Sequence, residues 1–198
     1  MQKVLLSLGL LVGISCAAQA QSIKYGVKAG ASLTNITGED SDGLTNKFGF
    51  NGGVLANFGL NDMISIQPEV LYSMKGAKED GGSGKFNLGY IDVPVLVKVA
   101  TGETGLFFEA GPQVGFLASA KIKDGSASMD AKDYVKSVDF GYAAGLGFQA
   151  ASGPIVGLRY NGGFTNLGKD NINGVAVNPG KAKNSAFQLY VGFLFGGK

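Results

Sequence analysis

The chain has 198 residues, which suits one domain. Charge is sparse and nearly balanced, 17 Lys and Arg against 15 Asp and Glu, so no basic stripe for nucleic acid is present. Histidine is absent, which excludes a Ser-His-Asp triad, lipid-modifying enzymes that rely on a Ser–His pair, and metal sites built on imidazole.

Residues 1–20 read as an export signal. Lys3 precedes an uncharged apolar run from Val4 to Ile14, and Ala18-Gln19-Ala20 fits the small-residue cleavage rule. The run is shorter than the about 20 apolar residues that a spanning helix needs. A lipoprotein signal with Cys16 as the lipidated residue is the rival reading, against which Gly13 stands where that motif wants a Leu-type residue. Cleavage after Ala20 leaves a domain of residues 21–198 without cysteine, as suits an exported protein that needs no disulfide.

After residue 22 the chain alternates apolar and polar residues with period two, in eight segments. The first, about Ile23–Thr34, sets Tyr25, Val27, Ala29, Ala31 and Leu33 against Lys24, Gly26, Lys28, Gly30 and Ser32. The second, about Lys47–Phe58, carries Phe48, Phe50, Val54, Ala56 and Phe58 on its apolar face. The third, Ile64–Lys75, sets Ile66, Pro68, Val70 and Tyr72 against Gln67, Glu69, Ser73 and Lys75. The fourth sets Ile91, Val93, Val95, Val97 and Val99 against Asp92, Pro94 and Lys98, while Phe86, Leu88 and Tyr90 fall on the opposite phase. A bulge near Tyr90, or an upper part of the strand clear of lipid, reconciles the two phases. The fifth sets Leu106, Phe108, Ala110, Val114 and Phe116 against Glu109, Gly111, Gln113 and Gly115. The sixth sets Phe140, Tyr142, Leu146 and Phe148 against Asp139, Gly141, Gly145, Gly147 and Gln149. The seventh sets Val156, Leu158, Tyr160 and Phe164 against Gly157, Arg159, Asn161 and Thr165. The eighth sets Phe187, Leu189, Val191, Phe193 and Phe195 against Gln188, Tyr190, Gly192 and Gly196.

Connections alternate in length. Residues 35–46, 76–85, 122–136 and 167–183 are long; 59–63, 100–104 and 151–153 are short. Eight strands, long outer loops and short inner turns predict an all-β fold, an eight-stranded antiparallel up-and-down transmembrane β-barrel with both termini on the periplasmic side.

Periodicity yields two faces without saying which points out. A soluble lipocalin-like barrel turns the apolar face inward; a membrane barrel turns it to lipid. Two features favour lipid. Glycine crowds the polar face, as at Gly26, Gly30, Gly111, Gly145, Gly147 and Gly157, and an eight-stranded barrel has an interior just wide enough for side chains. Aromatic residues gather near strand ends on the apolar face, as an interfacial girdle requires. Gly52 and Gly162 break the glycine sorting.

The polar face then lines the lumen. Lys24, Lys28, Lys75, Lys98 and Arg159 meet Glu69, Asp92, Glu109 and Asp139 there. Buried charges must be paired, so the expected role is a structural ionic network; Lys98 and Glu109 flank one short turn and are expected as diagonal neighbours. The rival reading is a solute path, though aqueous porins need 16–18 strands.

The run Tyr90-Ile91-Asp92-Val93-Pro94-Val95-Leu96-Val97-Lys98 resembles the "YLEIPLLLKY" strand of the PorT-like outer-membrane barrel family of Bacteroidota. Gln67-Pro68-Glu69-Val70-Leu71-Tyr72-Ser73, Phe108-Glu109-Ala110-Gly111-Pro112, Asp139-Phe140-Gly141 with Gly145-Leu146-Gly147, and Arg159-Tyr160 with Thr165-Asn166-Leu167 match in the same order, as does the opening Tyr25-Gly26-Val27-Lys28-Ala29-Gly30 with Asn35. The resemblance spans essentially the whole mature chain and implies an eight-stranded outer-membrane barrel. It implies no single activity; a few members are named for type IX secretion, and membership alone does not carry that role. The ending Phe195-Gly196-Gly197-Lys198 departs from barrels that close on an aromatic residue.

Other motifs lack their structural context. Gly145 to Ala150 matches G-x-G-x-x-A, but a turn and a strand follow where a helix is needed. Gly163 to Lys169 spells G-x-x-x-x-G-K with Asp170 in place of Ser/Thr. Lys169 to Gly180 resembles a calcium loop without its first Asp and final Glu. Glu39, Asp40 and Asp42 read as a solvated loop rather than a calcium site. No cofactor is expected and no catalytic residue is assigned; carboxylate-only catalysis ranks last, because each inward acid has a structural explanation. The expected partners are outer-membrane lipid, the barrel assembly machinery, and a protein or surface ligand at loops 35–46, 76–85, 122–136 and 167–183. The expected function is a structural or interaction role through those loops; a narrow channel and a soluble periplasmic binding barrel are the alternatives.

Overall fold

A computed structural model describes residues 22–39, 41–172 and 175–196. The export segment 1–20 and Asp40 lie outside them. Eight long strands follow in order: β1 Ser22–Thr37, β2 Lys47–Gly59, β3 Ile64–Lys75, β4 Lys85–Ala100, β5 Leu106–Asp124, β6 Val138–Gln149, β7 Pro154–Gly163 and β8 Lys183–Phe195. Each pairs antiparallel with its sequence neighbours, and β1 pairs with β8 from Tyr25↔Phe195 to Thr37↔Lys183, which closes the barrel. Closure leaves the barrel wall no open edge.

The apolar face points outward. Val27, Val54, Leu158, Leu189 and Val191 are each about half exposed or more and form an aliphatic band at mid-height. Aromatic residues border it. Phe50, Tyr72, Tyr142, Tyr160, Phe164 and Phe187 stand toward the long loops, with Tyr160–Phe187 and Tyr142–Phe164 ring centroids 4.8 and 5.3 Å apart. Tyr25, Phe108, Phe148, Phe193 and Phe195 stand toward the short turns. Such a belt suits lipid: water would leave every one of these side chains unburied, whereas an aromatic-bordered apolar band matches the bilayer profile.

The strand bounds differ from the sequence expectation mainly at the long-loop end. There β1 continues to Thr37, β4 begins at Lys85, and β5 runs on to Asp124 and folds back to pair with Ala127–Asp130. Segments 76–85 and 122–136 are therefore partly strand. Hydropathy alternation fades where strands leave the lipid, but backbone pairing does not need it. A bulge lies beside Tyr90, but in β5: Gly89 pairs with Ser119 and Tyr90 with Leu117, so Ala118 is the extra residue. β4 keeps its own alternation, and Phe86, Leu88 and Tyr90 stand on the inward phase because the strand there rises clear of lipid and packs into the cluster at the loop end.

Inward glycines have a specific task. A Cβ at Gly157 would sit 2.5 Å from the Tyr190 ring, and one at Gly147 would sit 2.6 Å from Phe107. The few large inward rings thus lie over bare backbone. Gly162 does the same outside, beneath Tyr142, which explains its departure from the inward sorting.

A charged lumen and a capped mouth

The interior is layered from the short-turn end upward. The lowest level is an open mouth cavity of about 370 Å³ lined by Lys24, Asn57, Ser65, Lys98 and Gln149 among others. Above it Leu55, Phe107, Ile155, Tyr190 and Leu194 form a buried apolar layer. These five share the phase of the polar residues. The sequence signal for them was the inward position of Phe107 and Tyr190, which alternation alone assigns to the polar face.

Arg159 commands the next level. Its Nη1 and Nη2 donate to the two Glu69 carboxylate oxygens at 2.7 and 2.9 Å, and its Nε donates to Glu109 Oε1 at 2.7 Å. All three side chains are fully buried. Lys28 Nζ lies 3.3 Å from Glu69 and 3.6 Å from the Tyr190 ring centroid. Gln67 donates to Glu69, and the Tyr190 hydroxyl donates to Glu109. Two cations face two carboxylates, so this level is neutral. The planar guanidinium grips Glu69 with two N–H groups and keeps a third for Glu109, a fixed fork that an ammonium does not offer.

A second charged level lies higher. Lys75 Nζ is 2.9 Å from Asp92 and 3.9 Å from Asp139. Asn184 donates to Asp139 Oδ2. One cation here serves two carboxylates. The void beside Lys75, Gln113, Asp139 and Asn184 measures about 10 Å³, room for about one water.

The long connections close the top. Ile36, Ala77, Leu88, Tyr90, Leu117, Ala120, Ala131 and Leu167 form a buried cluster, with Leu44, Phe86, Ile122, Val135 and Ala182 packed against it. All four long connections contribute to it. Lys181 to Glu39 (2.8 Å) and Lys136 to Asp170 (2.9 Å) tie connections together at the surface.

Of the expected lumen residues, Lys28, Glu69, Asp92, Lys98, Glu109, Asp139 and Arg159 are buried inside, as is Lys75. One expectation needs correction and another is refined. Lys24 is only half-buried, lines the mouth cavity and makes no ion pair among the described residues, because it lies one rung below the apolar layer. Lys98 and Glu109 are neighbours as expected, directly opposite in register rather than diagonal, while the Lys98 Nζ donates to Gln149 at 2.6 Å and sits 3.7 Å from the Phe107 ring centroid. Arg159 and Tyr190 occupy Glu109 instead. Among the described residues, no group of three or more acidic side chains is placed to hold a metal ion.

Known structures share this architecture. Ail, the attachment invasion locus protein of Yersinia pestis, aligns with 87% of this chain and 98% of its own at 16% identity and a TM-score of 0.52. Neisserial surface protein A aligns with 86% of this chain and 97% of its own at 17% identity and a TM-score of 0.56. At these identities the likeness is one of fold. No curated protein matches in sequence. Residues 18–168 match the outer membrane protein beta-barrel domain, and the chain belongs to that family of bacterial outer-membrane barrels.

Proposed function

We propose that this protein is a non-enzymatic, non-conducting surface barrel whose capped loops contact a macromolecular partner. The observation that carries the reading is the apolar cluster at the loop end, to which all four long connections contribute. An aqueous path would have to cross that cluster, two charged levels and the lower apolar layer. The lumen residues Lys28, Glu69, Asp92, Lys98, Glu109, Asp139 and Arg159 act in this reading as an internal brace, with Lys75. Loops packed on a common core form a firm platform, and Met129 and Tyr134 stand exposed on it; such residue types are enriched at protein interfaces. The leader 1–20 is removed after Ala20, the assembly machinery inserts the barrel, and the short turns and both termini face the periplasm. The ordered series of motifs from Tyr25 to Leu167 supports PorT-like affiliation within the wider family.

Planar-bilayer recording on purified protein tests the central claim. Current at the lipid background is the expected outcome; stepwise conductance that changes in an Arg159→Gln or Glu109→Gln variant would overturn it in favour of a channel. A photo-crosslinking residue at Tyr134 should capture a surface partner that the same residue at Val97, in the lipid belt, does not.

A further inference from the structure

Four lysines gather on the raised wall of the barrel, and three of them stand in a like-charge row that is relieved by an anion placed against it. Lys85 pairs directly with Lys78 on one side and Lys123 on the other. Lys121 lies two residues below Lys123 on the same face. Like charges directly opposite on neighbouring strands repel. All four side chains are exposed, and among the described residues none makes an ion pair. Acids stand nearby, and Asp130 opposite Lys121 offsets that lysine in part; the like-charge contacts that remain are those of the Lys78–Lys85–Lys123 row. Asp130, opposite Lys121, caps the next turn by accepting from the Lys132 N–H, Asp124 accepts from Ser83, and Glu79 accepts from Gly84 N–H within its own turn.

The wall's two faces identify the side on which the lysines act. Phe86 and Ile122 alternate with them and pack into the cap. The lysines therefore face outward, on the same surface as the lipid belt. Rungs can be followed upward along β4 and β5. Ile91 pairs with Phe116, then Gly89 with Ser119, then Asn87 with Lys121, then Lys85 with Lys123. The first rung is apolar. At the second, a Cβ on Gly89 would touch the Tyr72 hydroxyl at 2.9 Å, so Tyr72 ends there. Lysine begins at the third rung. Four residues at about 3.3 Å each, tilted by about 40°, raise that rung by about 10 Å. Lysine stems lie along apolar surface and bring their ammonium groups back toward the interface. Lys132 is already at that depth, its Nζ donating to the Ala118 carbonyl just above Phe116.

We propose that Lys78, Lys85, Lys121 and Lys123 form a docking surface for phosphorylated lipid headgroups of the outer leaflet, with Lys132 at its lower edge. The outward face, continuity with the aromatic border and unpaired positive charge favour a lipid over a soluble anion. The bound phosphates offset the repulsion along the Lys78–Lys85–Lys123 row and fix the depth of the raised wall.

The test compares the full chain with a Lys78→Gln, Lys85→Gln, Lys121→Gln, Lys123→Gln variant, both refolded into vesicles of phosphatidylcholine alone or with one part in five phosphatidic acid. Unboiled gel mobility confirms that each is folded; a Lys85→Gln, Lys123→Gln double variant replaces the fourfold one if the latter does not fold. Phosphatidic acid should raise the unfolding temperature of the parent chain, and phosphatidic acid retained after detergent washing should fall about fivefold per lysine removed. The corresponding Lys→Arg variant should keep both effects. Equal response of the parent and Gln variants to phosphatidic acid would overturn the proposal. So would heparin fragments binding these lysines in detergent while phosphatidic acid has no effect, since the lysines would then read a soluble anion.

Discussion

Arg159 and Lys75 solve the same problem with different arithmetic. Around Arg159 and Lys28, two cations face Glu69 and Glu109 and every charge has a close partner. Around Lys75, one cation faces Asp92 and Asp139, and Asp139 Oδ1 has no hydrogen-bond partner. Removing one member of a buried pair leaves an uncompensated charge, at a cost of about 3–5 kcal/mol. Lys75→Met strands two carboxylates and should cost that much. Asp139→Asn removes the surplus negative charge, keeps an acceptor for Asn184, and should change stability by less than about 1 kcal/mol. Urea titration read by the mobility of the unboiled band distinguishes the two, and a larger loss in Asp139→Asn would refute the charge count. The list of these residues was legible in the sequence through their phase. Their partners were not: Lys98 turned to Gln149 because Arg159 had the better geometry for Glu109.

At the scale of the strand, height decides what a side chain must be. Val191 lies mid-way along β8 in the aliphatic band, and Phe48 opens β2 at the upper rim. A lysine at mid-belt costs about 2–4 kcal/mol, falling to about 0–1 near the interface. Val191→Lys should therefore lower stability in vesicles severalfold more than Phe48→Lys, although Phe48 is the more exposed of the two at 81%. Equal losses would mean that the belt is not centred on Val191. Strand existence was readable from period-two alternation, and the apolar run Phe86, Leu88 and Tyr90 on the polar phase marked where β4 leaves the lipid and packs into the cap. The extension of β5 to Asp124 was not readable, because Lys121 and Lys123 carry no apolar alternation and the strand there is held by backbone pairing with Ala127–Asp130.

The whole molecule is a closed wall filled along its length. The β1–β8 pairing joins the first and last strands, and the cap and charged levels remove most internal space. Such a barrel unfolds only by breaking a continuous hydrogen-bonded cylinder. Kept cold in SDS, the protein taken from membranes should stay folded and migrate differently from its boiled form; identical mobility of the two would contradict a closed membrane barrel. Tyr134 and Met129 on the cap and the lysine row on the wall are exposed.

Sequence alone determined the number of strands, the face each residue takes, the belt that meets lipid and the alternation of loops with turns. Strand number and the two faces follow from a side-chain period of two, and the choice of the lipid face from glycine crowding the polar phase of a narrow barrel and aromatic residues near the strand ends, none of which depends on distant partners. Only the tertiary structure decided who meets whom inside. Glu69 and Arg159 stand 90 residues apart, and closure sets them in contact. It also decided that the long connections fold inward over the mouth, since Ile36, Ala77, Ala131 and Leu167 are too scattered in sequence to announce a shared core. Both outcomes arise because burial is a property of the assembled barrel and not of any one segment.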